Sequence, residues 1–248
     1  MQYFLDTTET IPSGVGWAHF DGTHFIWLAI AVVTIALNCL LYRRLDDKGK
    51  SRWKKIVALL IVTDEIFKMV MLTIGGRYEV DYLPLHLCSI NIFLITFHAW
   101  KPTRIVSGFL YTVCIPGAIA ALLFPTWTSL PVGNFMHLHS FTVHILLTMY
   151  PMVLALTGET KPQAREIPKY LALLAGLGVI ALIVNLLLDT NFMFLMYAEE
   201  GNPLLIFENL WGSHLLGFPV LITAVLIVMY VPMGIYRKLK KSAPNILP

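Results

Sequence analysis

Charge is what this 248-residue chain has least of. Only 13% of its residues are charged, while 57% are hydrophobic. An ordinary soluble domain carries roughly a quarter charged residues, so a single water-exposed core is excluded. Cysteine is scarce too. Cys39, Cys88 and Cys114 fall at different expected depths, which excludes a disulfide framework because bridged Cα atoms must lie within about 7 Å. The first residues, MQYFLDTTETIPSGVGW, lack a basic stretch and do not read as a signal peptide. No phosphate-cradling glycine loop, dinucleotide fingerprint, CxxC pair or HExxH helix is present. The histidines lack a metal-ligand spacing, and His137 and His139, two apart, are a weak signal. This reading therefore expects no metal, no cofactor and no nucleic-acid partner.

Long apolar runs are abundant. Seven can be drawn, over about 24–42, 56–74, 84–98, 105–124, 135–156, 170–188 and 212–235. Each approaches the roughly 20 residues that cross a bilayer as a helix. Runs of this kind exclude a membrane β-barrel, whose strands alternate over about ten residues. The expectation is an all-α, polytopic seven-transmembrane-helix bundle forming a single domain over 1–248. No lysine occurs in the seventh run, so a retinal Schiff base has no partner there.

Basic residues are nearly absent from one side. With seven spans, the 43–55, 99–104 and 157–169 connections and the C-terminal tail hold sixteen of the eighteen lysines and arginines. The exceptions are Lys68, inside a span, and Arg77. The other side carries Asp6, Glu9, Asp21, Glu79, Asp81, Asp189, Glu199, Glu200 and Glu208. The positive-inside rule then sets the N-terminus outside and the C-terminus inside.

Polar residues within apolar spans are costly and point to function. The stretch LPLHLCSIN, Leu83–Asn91, begins the third run at the outer side with His86, Cys88, Ser89 and Asn91. His86 and Cys88 are two residues apart, about 200° around a helix, and cannot face one another. If Cys88 is a nucleophile its base must come from another helix, with His144 or His214 as candidates. His137, Phe141, His144 and Thr148 form one stripe at helical spacing on the fifth run. In the second run Asp64 and Lys68 stand four apart as an expected ion pair, leaving Glu65 as an unmatched acid. That acid reads either as a clamp between helices, a headgroup contact or a proton site. Arg77 can meet a lipid phosphate or pair with Glu79 or Asp81. Asn185, with Asp189, Asn191 and Tyr197, adds polar groups at the same outer level.

FDGTHF at Phe20–Phe25, RYEVDYLPLHLC at Arg77–Cys88, His144 and NLLLDTNFMFL at Asn185–Leu195 together carry a resemblance. The chain resembles the YwaF-like bacterial integral membrane proteins, whose animal relative is transmembrane protein 164. An NY pair usual after the sixth span is NF here, at Asn191–Phe192. The resemblance implies a compact seven-helix protein of the bacterial plasma membrane. For the animal relative it implies a cysteine-dependent acyltransferase acting on phospholipids, with the nucleophile carried onto Cys88. A hydrolase branch of similar membrane proteins uses a different nucleophile with a histidine. The expected site is then Cys88 as nucleophile, His144 or His214 as base, and His86, Asn91 or Asn185 as oxyanion donor, with Arg77 and Glu65 contacting a phospholipid substrate. The alternative is a small-molecule transporter or binding protein using an outer polar cavity, which the charges of Asp64, Glu65 and Lys68 favour.

Overall fold

The computed structural model describes residues 2–199 and 202–242, the last seven as backbone alone. Glu200 and the tail charges of Arg237, Lys238, Lys240 and Lys241 lie outside the described side chains. The chain forms two compact units, 1–202 and 203–248. Among the described residues every regular element is helical.

In the first unit α1 spans Gly22–Arg44. Asp21 caps it by accepting the His24 N–H, and Arg43 and Arg44 close it where the negative end of the helix dipole favours basic residues. Only Leu45 and Asp46 separate it from α2, Asp47–Ile74, which Asp46 caps through the Gly49 N–H. The expected 43–55 loop is thus mostly helix. An aspartate cap starts α2 inside the basic stretch, ahead of its apolar part. A 3₁₀ turn at Val80–Tyr82 leads to α3, Leu87–Trp100. The third span therefore begins later than the sequence suggests, because Pro84 and the extended His86 keep the preceding residues out of the helix.

A broken rod follows: α4 over Arg104–Phe109, a π-turn over Leu110–Cys114, and α5 over Ile115–Leu123. Next is α6, Phe135–Leu156, capped by Asn134 through the Met136 and His137 N–H groups. The Asn134 amide also donates to the Tyr3 and Asp6 carbonyls at 2.7 and 2.8 Å, which ties the N-terminal segment over the start of α6. Helix α7, Ile167–Leu188, ends at Asp189 in the left-handed region.

At the centre of this unit stands α6, which touches α1, α2, α3 and α5. In its apolar window 67% of residues are buried, against 17% for α1 and 11% for the 164–188 segment. The outward faces of α1 and α7 are strongly apolar, with Leu37, Leu186 and Leu187 well exposed, as in lipid-facing helices. Pro151 interrupts α6. It has no N–H to give the Leu147 carbonyl, and the Cys114 thiol fills the gap at 3.4 Å. Cys114 is thereby a structural residue, placed by the π-turn.

The second unit contains α8, Leu204–Trp211, and α9, Gly217–Ser242, joined by a 3₁₀ turn at His214–Leu216.

Six segments are long and apolar enough to cross a membrane: Gly22–Arg44, Val80–Trp100, Arg104–Leu123, Phe135–Leu156, Ala164–Leu188 and His214–Ile235. Helix α2 is longer still, at 28 residues, but Asp64, Glu65 and Lys68 interrupt its apolar stretch.

Candidate active site

Cys88 is the second residue of α3. The first turn of a helix has N–H groups without intrahelical partners, and the preceding His86 provides no side-chain cap. The backbone N–H groups of Leu87, Cys88 and Ser89 make no hydrogen bond among the described residues, whereas that of Ile90 bonds the His86 carbonyl at 2.9 Å. The thiol therefore stands at an uncapped, electropositive helix end.

His144, on α6, approaches it there. Its Nε2 lies 3.3 Å from Cys88 Sγ, and its Nδ1 lies 2.6 Å from the Ser140 carbonyl. A carbonyl can only accept, so Nδ1 bears the proton and the lone pair of neutral imidazole is on Nε2, facing the sulfur. The Trp127 ring stacks on His144 at 5.3 Å with planes 12° apart, fixing the imidazole further. His144 is buried and Cys88 half-buried.

The other expected residues divide clearly. His86 accepts from the Met193 N–H through Nδ1 at 3.4 Å and sits between Phe192 and Phe194. Its proton is then on Nε2, which is free to donate. Asn91, one turn below Cys88 on the same face, is buried with Oδ1 unpaired. Asn185 is engaged in its own segment. Its Nδ2 donates to the Phe192 carbonyl at 3.0 Å, and its Oδ1 accepts from the Thr190 hydroxyl and the Phe192 N–H. Arg77 is exposed and lines an open cavity of about 590 Å³ with Tyr3, Phe4, Leu5, Asp6, Ile74 and Gly75. His214 belongs to the second unit, its Nδ1 3.9 Å from Glu208.

The expected Asp64–Lys68 pair is not formed. Lys68 bonds Glu65 at 2.5 Å instead, so Glu65 is matched, and Asp64 turns to His139 and Thr142 on α6. The partners Asp64 takes instead, His139 and Thr142, come from α6, which local spacing on α2 does not reveal. One signal was available: two acids and a single base in an apolar run require a further polar partner from elsewhere.

Histidine count alone marks no site here. His137 donates from Nδ1 to the Leu130 carbonyl and accepts the Trp27 indole N–H at Nε2. His24 accepts the Phe20 N–H and donates to the Leu122 carbonyl. Both are neutral rings tying loops to helices. Among the described residues no cluster of His, Cys, Asp and Glu has the arrangement of a metal site.

Comparison with curated proteins and with solved structures returns no match. The model of the TMEM164 family matches residues 17–230, a stretch that includes Cys88 and His144, and the chain therefore belongs to the TMEM164 family.

Proposed function

We propose that this protein is a membrane-embedded, cysteine-dependent acyltransferase acting on phospholipids from the outer leaflet. One observation carries the reading: the basic Nε2 of a tautomer-fixed His144 lies 3.3 Å from a thiol at an uncapped helix N-terminus. A nucleophile, an oriented base and free donors for an oxyanion are the parts that acyl transfer requires.

His144 Nε2 takes the Cys88 proton as sulfur attacks the ester carbonyl of an acyl chain. The C–S bond forms and the carbonyl π electrons move onto oxygen. The Cys88 and Ser89 N–H groups and the His86 Nε2–H are the candidate donors for that oxygen. Collapse of the intermediate breaks the ester C–O bond, and the lysolipid oxygen leaves with the proton from His144. A lysolipid hydroxyl then gives its proton to His144 and attacks the thioester, releasing Cys88, which regains the proton. In this reading Arg77, exposed beside an open cavity, meets the phosphate headgroup.

This reading includes seven spans, with α2 crossing as well as the six apolar segments, the N-terminus outside and the C-terminus inside. The charge asymmetry of the connections supports that orientation. Ion pairing of Lys68 with Glu65 lowers the cost of placing α2 in lipid.

The test is acyl exchange in proteoliposomes between a phosphatidylcholine and a chain-labelled lysophospholipid, with mass detection of the Cys88 peptide. Exchange together with a thioester on Cys88 is expected, and both are lost in Cys88→Ala. Undiminished exchange by Cys88→Ala overturns the assignment.

A further inference from the structure

Between α2 and α6 lies a second polar cluster, outside the Cys88–His144 pair. His139 is buried, with 6% of its surface exposed. Its Nδ1 lies 3.1 Å from Asp64 Oδ2 and its Nε2 3.7 Å from Glu65 Oε2. Lys68 Nζ lies 2.5 Å from the other Glu65 oxygen. The Thr142 hydroxyl is 3.1 and 3.2 Å from the two Asp64 oxygens and 2.7 Å from the Leu138 carbonyl.

Hydrogen counting makes this arrangement unusual. An ionised carboxylate only accepts, and a neutral imidazole has one N–H. Each His139 nitrogen has a carboxylate oxygen within 4 Å, so a neutral ring can offer an N–H to only one of the two acids. Its Nδ1 makes no well-directed hydrogen bond as it stands. Charge counting agrees. Asp64, Glu65 and Lys68 sum to one net negative charge, and an uncompensated charge in an apolar bundle is far costlier than a balanced set. One additional proton resolves both.

We propose that buried Glu65, Lys68 and His139, with half-buried Asp64, form a proton-binding site in which a single proton holds His139 as an imidazolium between the two carboxylates. The ligand is the proton itself. The site stands on α2 and α6, and its charge balance involves no acyl chemistry at Cys88. Other titratable groups in reach are His144 on α6 and His86 with Cys88 on α3. Helix α5 carries none. Those of α1 lie toward its two ends, with His24 bonded to the Leu122 carbonyl and Cys39, Tyr42, Arg43 and Arg44 at the other.

The charge balance makes a pattern that packing alone would not produce. The measurement is ¹⁵N NMR at pH 7 on full-length chain labelled with ¹⁵N-histidine in phosphatidylcholine–phosphatidylglycerol nanodiscs. The His139 signals are assigned by their disappearance in His139→Gln. Wild type shows two protonated ring nitrogens. Asp64→Asn and Glu65→Gln each remove one negative charge, and each converts His139 to one protonated and one bare nitrogen. Lys68→Met keeps the imidazolium, as does the double variant Glu65→Gln/Lys68→Met, which removes one charge of each sign. A neutral His139 in wild type overturns the proposal. So does an imidazolium that survives in Asp64→Asn or Glu65→Gln, or one lost in Lys68→Met. If Asp64→Asn does not fold, the Glu65 and Lys68 variants decide alone.

Discussion

Two buried histidines in this protein each touch a side chain of the kind that serves as a nucleophile, and only one turns its lone pair toward it. His144 meets Cys88. His98, on α3, has Nε2 2.7 Å from the Ser107 hydroxyl and Nδ1 2.9 Å from the Tyr150 hydroxyl. Ser107 also lies 2.9 Å from the Thr103 carbonyl, which can only accept, so the single hydroxyl hydrogen goes there. His98 must then donate to Ser107 and accept from Tyr150. Its lone pair faces away from the serine. At His144 the carbonyl contact falls on the ring, which frees the opposite nitrogen for the thiol. Where the carbonyl binds, on the base or on the nucleophile, separates a candidate catalytic pair from a structural clamp.

The comparison breaks most sharply at the nucleophiles. Cys88→Ala is expected to abolish exchange and thioester formation. Ser107→Ala should leave exchange within about twofold while costing about 1–3 kcal/mol of stability, because the His98 N–H loses its acceptor. Loss of exchange in Ser107→Ala with retention in Cys88→Ala would reverse the two roles. Proteoliposome assays paired with thermal unfolding separate the effects.

A smaller effect is expected at the bases. His144→Asn keeps a polar group but removes the basic nitrogen, and general-base removal costs about 10²–10⁴-fold in rate. The loss should appear in kcat, with folding intact. His98→Asn should do the opposite, lowering Tm with exchange per folded molecule unchanged. A Tm loss in both variants with equal residual activity would make His144 a clamp as well.

Much of this was legible along the chain, and the remainder required contacts between helices. The 135–156 run matches α6 because an asparagine cap starts it and its mostly apolar stretch ends at Leu156. The chain left His144 and His214 both open as partners for Cys88, and it is His144 that meets the thiol. The tautomer was not legible, since it depends on which nitrogen finds the Ser140 carbonyl. Nor was the start of α3. Read from Pro84, Cys88 falls well inside a helix, whereas the extended His86 leaves it in the first turn, among free N–H groups. The π-turn that brings Cys114 to the carbonyl opposite Pro151 has no local sequence signal.

The smallest expected effect sharpens the structural side of the comparison. Near the end of α6 that holds Tyr150, Glu159 accepts from Lys54 at 2.5 Å and from the Tyr42 hydroxyl. Burial opposes its ionisation, but the Lys54 and Tyr42 hydrogen bonds outweigh that and hold its carboxyl below the usual range. A carboxylate lowered in the folded state contributes stability above its unfolded value, and the contribution is lost as pH falls through the folded value. Wild-type Tm should therefore fall as the pH drops below about 4.5, the ordinary value for glutamate. Glu159→Gln should start lower at neutral pH and fall less on acidification, with its exchange rate unchanged. A flatter stability profile without a change in exchange would mark the Tyr42–Glu159–Lys54 contact as a fastening of α1, α2 and α6. An equal acid response in both forms would locate the acid sensitivity at another carboxylate.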